Sequence, residues 1–367
     1  MDKGSVLEEI TVYTYGKLLA PRSFVKKRNQ ASGKRSHDVN ITSGLGCFNR
    51  PALITKLHRL LEVHRAERRY NAINGIICNR AIHKALLKAI RLCYEYKICE
   101  SKLFPVGDLF LELFLCMGNS CSIFSIFLSV QMSTMSHADS EILYPSNRSG
   151  EMTSAFEYYL QHISSVKHSD KDLMNLCISH ESGLTPLSAG IQKRDPELVL
   201  QLLRYGADPF YTIEDSDPDM YVQNPTEQLI DDLNGLFLFK NTGFSEETCS
   251  KLRAEEIKVW QCLKYFRRAV VEIPITSTNH IVTTYADDVY EEHEKLNVKK
   301  SYGVRRGIAE NLNFDFFKPT VSLKHLCRCA IRQRLNENRS KKWSIPKSIS
   351  LLPLPLLLRQ YLDLKSD

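Results

Sequence analysis

The sequence predicts an all-α protein, a short stack of helical repeat units followed by a C-terminal helical module. Three observations carry this reading. Apolar residues recur at helical spacing in segment after segment. Two adjacent cap-plus-proline starts, Thr185-Pro186 and Asp195-Pro196, open a pair of short helices that closes at Gly206. Finally, Ser322–Ile331 reads as a capped amphipathic helix, followed by the rigid run Leu352-Pro353-Leu354-Pro355.

Composition sets the class. The chain has 367 residues, 43% apolar and 25% charged, the profile of a globular protein and not of a fibrous or disordered one. A net charge of +7 hides three blocks: residues 1–100 carry net +11, residues 101–320 net −11 and residues 321–367 net +7. The ends and the middle are therefore expected to meet different partners. The 11 cysteines are scattered, and the opening Met1-Asp2-Lys3-Gly4 has no apolar core or cleavage site of a signal peptide. Free thiols in a reducing compartment, the cytoplasm or the nucleus, are the expectation. No Cys-x-x-Cys pair exists, Cys327 and Cys329 are two apart, and His280 and His293 stand alone. No metal site and no cofactor are expected.

Residues 1–50 read as a disordered basic tail with clusters at Lys26-Lys27-Arg28 and Lys34-Arg35. Such a tail serves as an import signal, binds nucleic acid, or is simply solvated. No aromatic residues interleave with the basic ones for base stacking, so a nucleic-acid partner is not expected. Residues 51–137 form a helical region of open role. Pro51 starts one helix, with Leu53, Leu57, Leu60, Leu61 and His64 on one face. Arg80–Tyr96 forms the next, with Ile82, Leu86, Ala89, Ile90 and Cys93 at helical spacing. The stretch 109–130 is very apolar, with Glu112 its only charge. Its length could span a bilayer, but Glu112, Asn119 and four serines weaken that reading, and a membrane partner is not expected. A hairpin broken at Gly118-Asn119, a membrane span and a mis-spliced gene segment all stay open for it. Residues 138–151 are a linker, and short helices follow around Ala155–Ser164 and Lys171–Ser179.

The stretch 183–209 is the first specific signal. Thr185 caps a helix whose first turn holds Pro186 and Leu187, and Asp195 and Pro196 repeat the device. Leu198, Val199, Leu202 and Leu203 form a buried stripe. Gly206 ends the helix in a left-handed conformation, followed by Asp208. One such unit cannot cover its own faces, so neighbours are expected in weaker form. Residues 224–271 read as a divergent unit, opened by Asn224-Pro225, with Leu229, Ile230 and Leu233, then Ile257, Trp260, Leu263, Phe266 and Val270. The helices of 153–180 form another on the other side. Acidic runs at 214–219 and 287–292 are candidate partner faces or solvated loops.

In the C-terminal module, Ser322 is the expected N-cap. Leu323, Cys327 and Ile331 fall at i, i+4 and i+8 on one face, which Leu326 and Ala330 widen. Lys324, Arg328, Arg332 and Arg334 fill the other side. The two prolines at 353 and 355 keep their run extended and present Leu352 and Leu354. Leu356–Leu362 is a last apolar stretch.

Residues 183–209 resemble an ankyrin repeat, with Thr185-Pro186-Leu187 opening it and Leu202-Leu203 and Gly206-Ala207-Asp208 closing it. Ser188 stands where that family has His, and Gly190 where it has Ala. Residues 321–362 resemble a SOCS box. Ser322, Leu323, Cys327 and Ile331 match its elongin-binding part, and Leu352–Pro355 its cullin-5 motif. The order of the two is similar to the short members of the ankyrin repeat and SOCS box family. That resemblance implies a degenerate ankyrin-type stack over 151–300 and a three-helix SOCS box over 320–365. It implies elongin C docking at Leu323, Leu326, Cys327 and Ile331, with elongin B in the same complex. It also implies cullin-5 and its RING protein at Leu352, Pro353, Leu354 and Pro355. Thr185, Pro186, Leu187, Gly206 and Asp208 would be structural.

The implied function is a non-catalytic receptor that holds an unidentified protein substrate for ubiquitination and degradation. The alternative is an ankyrin-type binding scaffold with no ligase role. An enzyme is not expected: no phosphate-binding Gly-rich loop, no Gly-x-Ser-x-Gly elbow and no His-Glu-x-x-His helix occurs.

Overall fold

In a computed structural model of the chain, the described residues are 50–74, 80–98, 106–116, 124, 149–168, 171–176, 178, 184–211, 224–240, 246–271, 322–337 and 343–366. The basic tail of residues 1–49, most of the apolar stretch beyond Cys116, most of the linker 138–151 and the acidic runs 214–219 and 287–292 lie outside them. Among the described residues the secondary structure is helical apart from one two-stranded hairpin. The chain is all-α. It divides into two compact units, residues 1–119 with 134–152, and residues 120–133 with 153–367.

In the first unit, α1 (Arg50–Asn74), α2 (Arg80–Glu95) and α3 (Gly107–Cys116) pack together, with α3 against both others. Leu57, Leu60 and Leu61 of α1 and Leu86, Ala89, Ile90 and Cys93 of α2 are all buried. The described members of the expected stripes on both helices are therefore buried, His64 among them. The lone charge of the apolar stretch finds its partners here. Glu112 is buried, and its carboxylate accepts from His64 Nδ1 at 2.9 Å, Arg65 Nε at 3.1 Å and Arg68 Nε at 3.1 Å. Burial works to raise its pKa. The hydrogen bonds from His64 and Arg68 outweigh burial and hold it at about 2. No helix among the described residues is long and apolar enough to cross a membrane. Cys116 is disulfide-bonded, whereas Cys93, Cys262, Cys327 and Cys329 are free, so the expectation of free thiols throughout fails at Cys116.

In the second unit, α4 (Ser149–Ile163, from residue 153 onward) leads into β1 (Lys167–His168) and β2 (Lys171–Asp172), an antiparallel hairpin. The helix expected around 171–179 is not formed over the described residues 171–176. Its first residues instead pair across the hairpin, and Leu173 N donates to Val166 O at 3.1 Å, so those amides are already committed. Helices α5 (Pro186–Gln192) and α6 (Pro196–Arg204) follow as expected. Thr185 Oγ1 accepts from Ser188 N at 3.1 Å, and Asp195 Oδ1 accepts from Glu197 N at 3.1 Å and Leu198 N at 3.2 Å. Gly206 ends α6 at φ 92°.

Helices α7 (Pro225–Lys240) and α8 (Glu246–Ala269) make the next pair. Asn224 and Glu227 form a reciprocal capping box: Glu227 N donates to Asn224 Oδ1 at 2.9 Å, and Asn224 N to Glu227 Oε2 at 3.3 Å. α5 packs on α6 and α7, and α8 packs on α6 and α7, which stacks one helical hairpin on the other. The buried residues of α8 include Val259, Cys262, Leu263, Tyr265 and Phe266, and Val270 just after the helix is buried too. Ile257, expected among them, is 65% exposed, because the 259–270 stripe turns position 257 outward. The C-terminal module has three helices, α9 (Leu323–Glu337), α10 (Ile345–Ser350) and α11 (Leu356–Leu362), each packed on the other two.

Candidate functional site

The candidate site is the outer surface of the C-terminal module, and α9 is built inside-out. Ser322 caps it, with His325 N donating to Ser322 Oγ at 3.2 Å. Leu323 is 75% exposed, and Leu326, Cys327, Ala330 and Ile331 are exposed beside it. This is the stripe that the spacing joined. Half of the charged side faces inward. Of the four basic residues expected opposite the stripe, Arg328 and Arg332 are buried, while Lys324 and Arg334 are exposed. Arg328 lies over the Tyr361 ring at 3.5 Å from its centroid. Arg332 Nη1 donates to Leu362 O at 2.9 Å, and its Nη2 to Leu203 O at 2.7 Å. A long guanidinium can occupy such a place because its several donors reach carbonyls at helix ends, where intrahelical donors run out.

His325 anchors the N-terminal end of the helix. Its Nε2 donates to Val270 O at 2.8 Å and lies 3.5 Å from Cys329 Sγ. Burial pulls the His325 pKa down. Cys329 is buried, and burial pushes its thiol up, so it serves as a small apolar filler.

The small core of the module is Ile345, Ile349, Tyr361 and Leu362, with Leu335, Leu352 and Leu354 packed against it. Leu352 and Leu354 are thus half-buried and hold the turn to the module. Pro353 and Pro355 are the exposed members of the run. Leu354 N donates to Leu352 O at 2.8 Å, closing a tight turn around Pro353. Leu351, Leu356, Leu357 and Leu358 are exposed around this turn, an apolar patch that the spacing analysis did not single out as a site. The signal was present as a run of leucines. Only the direction of α11, fixed by burial of Tyr361 and Leu362, turns them outward.

Thr185, Pro186 and Leu187 are buried at the start of α5. Asp208 is exposed, and its Oδ1 accepts from Phe210 N at 2.9 Å while its own N–H donates to Asn175 Oδ1 at 2.8 Å. Ser188 is buried and accepts from Thr185 Oγ1 at 3.1 Å, so it serves its own turn. A Cβ on Gly190 would meet Val199 Cγ2 at 3.4 Å and Leu202 Cδ1 at 3.5 Å, ordinary contact distances.

Chemically, the outer surface offers mainly apolar area, with the free thiol of Cys327 among the exposed leucines. Contiguous apolar exposure of this kind marks a protein-docking surface. No curated protein and no solved structure matches the chain. No ankyrin repeat family matches the repeat-like helices. Residues 320–363 match the SOCS box family, whose members link substrate receptors to elongin B/C–cullin ubiquitin ligases. The C-terminal module of this chain is a SOCS box.

Proposed function

We propose that this protein is a non-catalytic substrate receptor of an elongin B/C–cullin-5 RING ubiquitin ligase. Residues 151–300 would form an ankyrin-like domain that holds a protein substrate, and residues 320–365 would connect it to the ligase. Its chemistry is proximity: a substrate lysine is held near the ubiquitin-charged enzyme, which raises the effective concentration. Leu323, Leu326, Cys327 and Ile331 would dock into elongin C, with elongin B in the same complex. Leu352–Pro355 would select cullin-5 and its RING protein. Because Leu352 and Leu354 hold the turn to the box, the cullin would read a shaped surface of Pro353, Pro355 and the neighbouring leucines.

The observation that carries this reading is the outward apolar face of α9 on a helix that buries Arg328 and Arg332. A helix belonging only to a self-contained core would bury the opposite side. The test is a pull-down with elongins B and C. Leu323→Asp combined with Cys327→Asp places charge in a buried contact and should abolish recovery. Recovery equal to that of the wild type would overturn the assignment.

A further inference from the structure

Guanidinium groups join the repeat-like helices to the SOCS box from both sides. From the box, Arg332 reaches into the end of α6. Its Nη2 donates to Leu203 O at 2.7 Å and to Arg204 O at 3.3 Å, while Nη1 donates to Leu362 O at 2.9 Å. One side chain therefore caps the C-termini of a repeat-like helix and of a box helix. From the repeat-like side, Arg204 of α6 reaches into the box. Its Nε and Nη2 donate to Asp363 Oδ2 at 3.2 and 2.7 Å. Arg268 of α8 donates to Leu364 O at 3.1 Å. Arg332, Arg204 and Asp363 are all buried.

The physical content lies in direction as much as in energy. Carbonyls of a helix's last turn lack intrahelical donors and carry partial negative charge, so a cation between two such ends satisfies both. A guanidinium is planar, with donors in fixed directions. Bridging two helix ends through its two Nη atoms fixes their angle as well as their separation. Arg204 and Asp363 then fix the same joint a second time, 159 residues apart in sequence.

We propose that Arg332, Arg204 and Asp363 are positioning residues: they lock the SOCS box, already folded, in one orientation on the repeat-like helices. The docking face of α9 is then presented rigidly, and its partner binds without having to fold the box. For the ligase, which rests on the function proposed above, substrate holder and adaptor become one rigid body, which restricts the lysines within reach.

Hydrogen exchange on the full chain alone tests the lock without any elongin. In the wild type, the amides of α9 and α11 should be protected to the same order as those of α6, since one cooperative unit opens together. Arg204→Met combined with Asp363→Leu removes both charges at once. It should cost α9 and α11 about tenfold or more of their protection while α7 and α8 keep theirs. Arg332→Lys keeps the cation but loses the two-ended fork, and should act in the same direction. In the assembled ligase, Arg332→Lys should also broaden the set of self-ubiquitinated lysines at unchanged elongin affinity, a result that mere loss of stability would not give. A wild-type α9 that exchanges freely while α6 stays protected would overturn the proposal, even if a variant fails to fold. Variants that leave α9 protection and the lysine pattern unchanged would overturn it too. Failure of elongin binding with a protected α9 would instead strike the proposed function and leave the lock standing.

Discussion

Replacing Leu323 by Ala should separate docking from folding. The side chain is 75% exposed in the free chain, so its removal takes little from the protein's own core. Stability should stay within about 0.5 kcal/mol of the wild type, the usual range for surface positions. If elongin C buries this side chain, the loss on binding is different. Leucine to alanine deletes three carbons, each contributing about 0.8 kcal/mol when buried, for a total of about 2 kcal/mol. At about 1.4 kcal/mol per tenfold, the dissociation constant should rise by about 30-fold. Titration calorimetry with elongins B and C gives the affinity, and a thermal melt of the lone chain gives the stability. Leu362→Ala is the inverse control. That residue is buried in the box, and truncation there should cost about 2–5 kcal/mol of folding stability. An affinity for Leu323→Ala within twofold of the wild type would refute the reasoning. So would a melting loss comparable to that of Leu362→Ala, because Leu323 would then belong to a core.

Other expectations follow from the same geometry. Gly190→Ala adds a methyl at ordinary contact distance from Val199 and Leu202 inside α5 and relieves a helix-interior glycine, so stability should rise by about 0.5–1 kcal/mol; a lower melting temperature would show that the contact is too tight. His162 is buried against Tyr158, and burial pushes its pKa from 6.5 down to about 4. The unfolded chain therefore takes up the proton first, and the stability tied to neutral His162 is full above about pH 6.5 and declines as pH falls toward 4. Urea unfolding at pH 7 and pH 5 should show a loss of about 2 kcal/mol that His162→Phe removes, and an equal loss in both proteins would contradict it. Lys324→Glu reverses an exposed charge beside the docking face, 4.1 Å from the Tyr361 ring centroid, and should slow elongin association more at low salt than at high salt; a rate unchanged at low salt would remove any role for steering.

Local devices were legible in the sequence, and orientation was not. Thr185-Pro186, Asp195-Pro196 and Asn224-Pro225 place the starts of α5, α6 and α7, because a cap depends on side chains two or three residues away. The stripe of Leu323, Cys327 and Ile331 is likewise a matter of spacing along one helix. What spacing cannot say is which side of α9 turns inward. Spacing places Arg328 and Arg332 opposite the stripe, and they are buried because Tyr361 and the ends of α6 and α11 supply partners from distant parts of the chain. Glu112 follows the same logic. It looked like a flaw in an apolar stretch until His64, Arg65 and Arg68, more than 40 residues earlier, closed around it. Residues 171–176 failed for a nearer reason: Lys171 and Asp172 pair with His168 and Lys167, and that pairing outweighs a weak helical pattern.

The central claim is that the SOCS box of this chain recruits a ligase. Co-expression of the full chain with elongins B and C, followed by size-exclusion chromatography with and without cullin-5, tests it most directly. The account predicts a stoichiometric complex that then captures cullin-5. A chain that stays soluble and elutes apart from both elongins would contradict it.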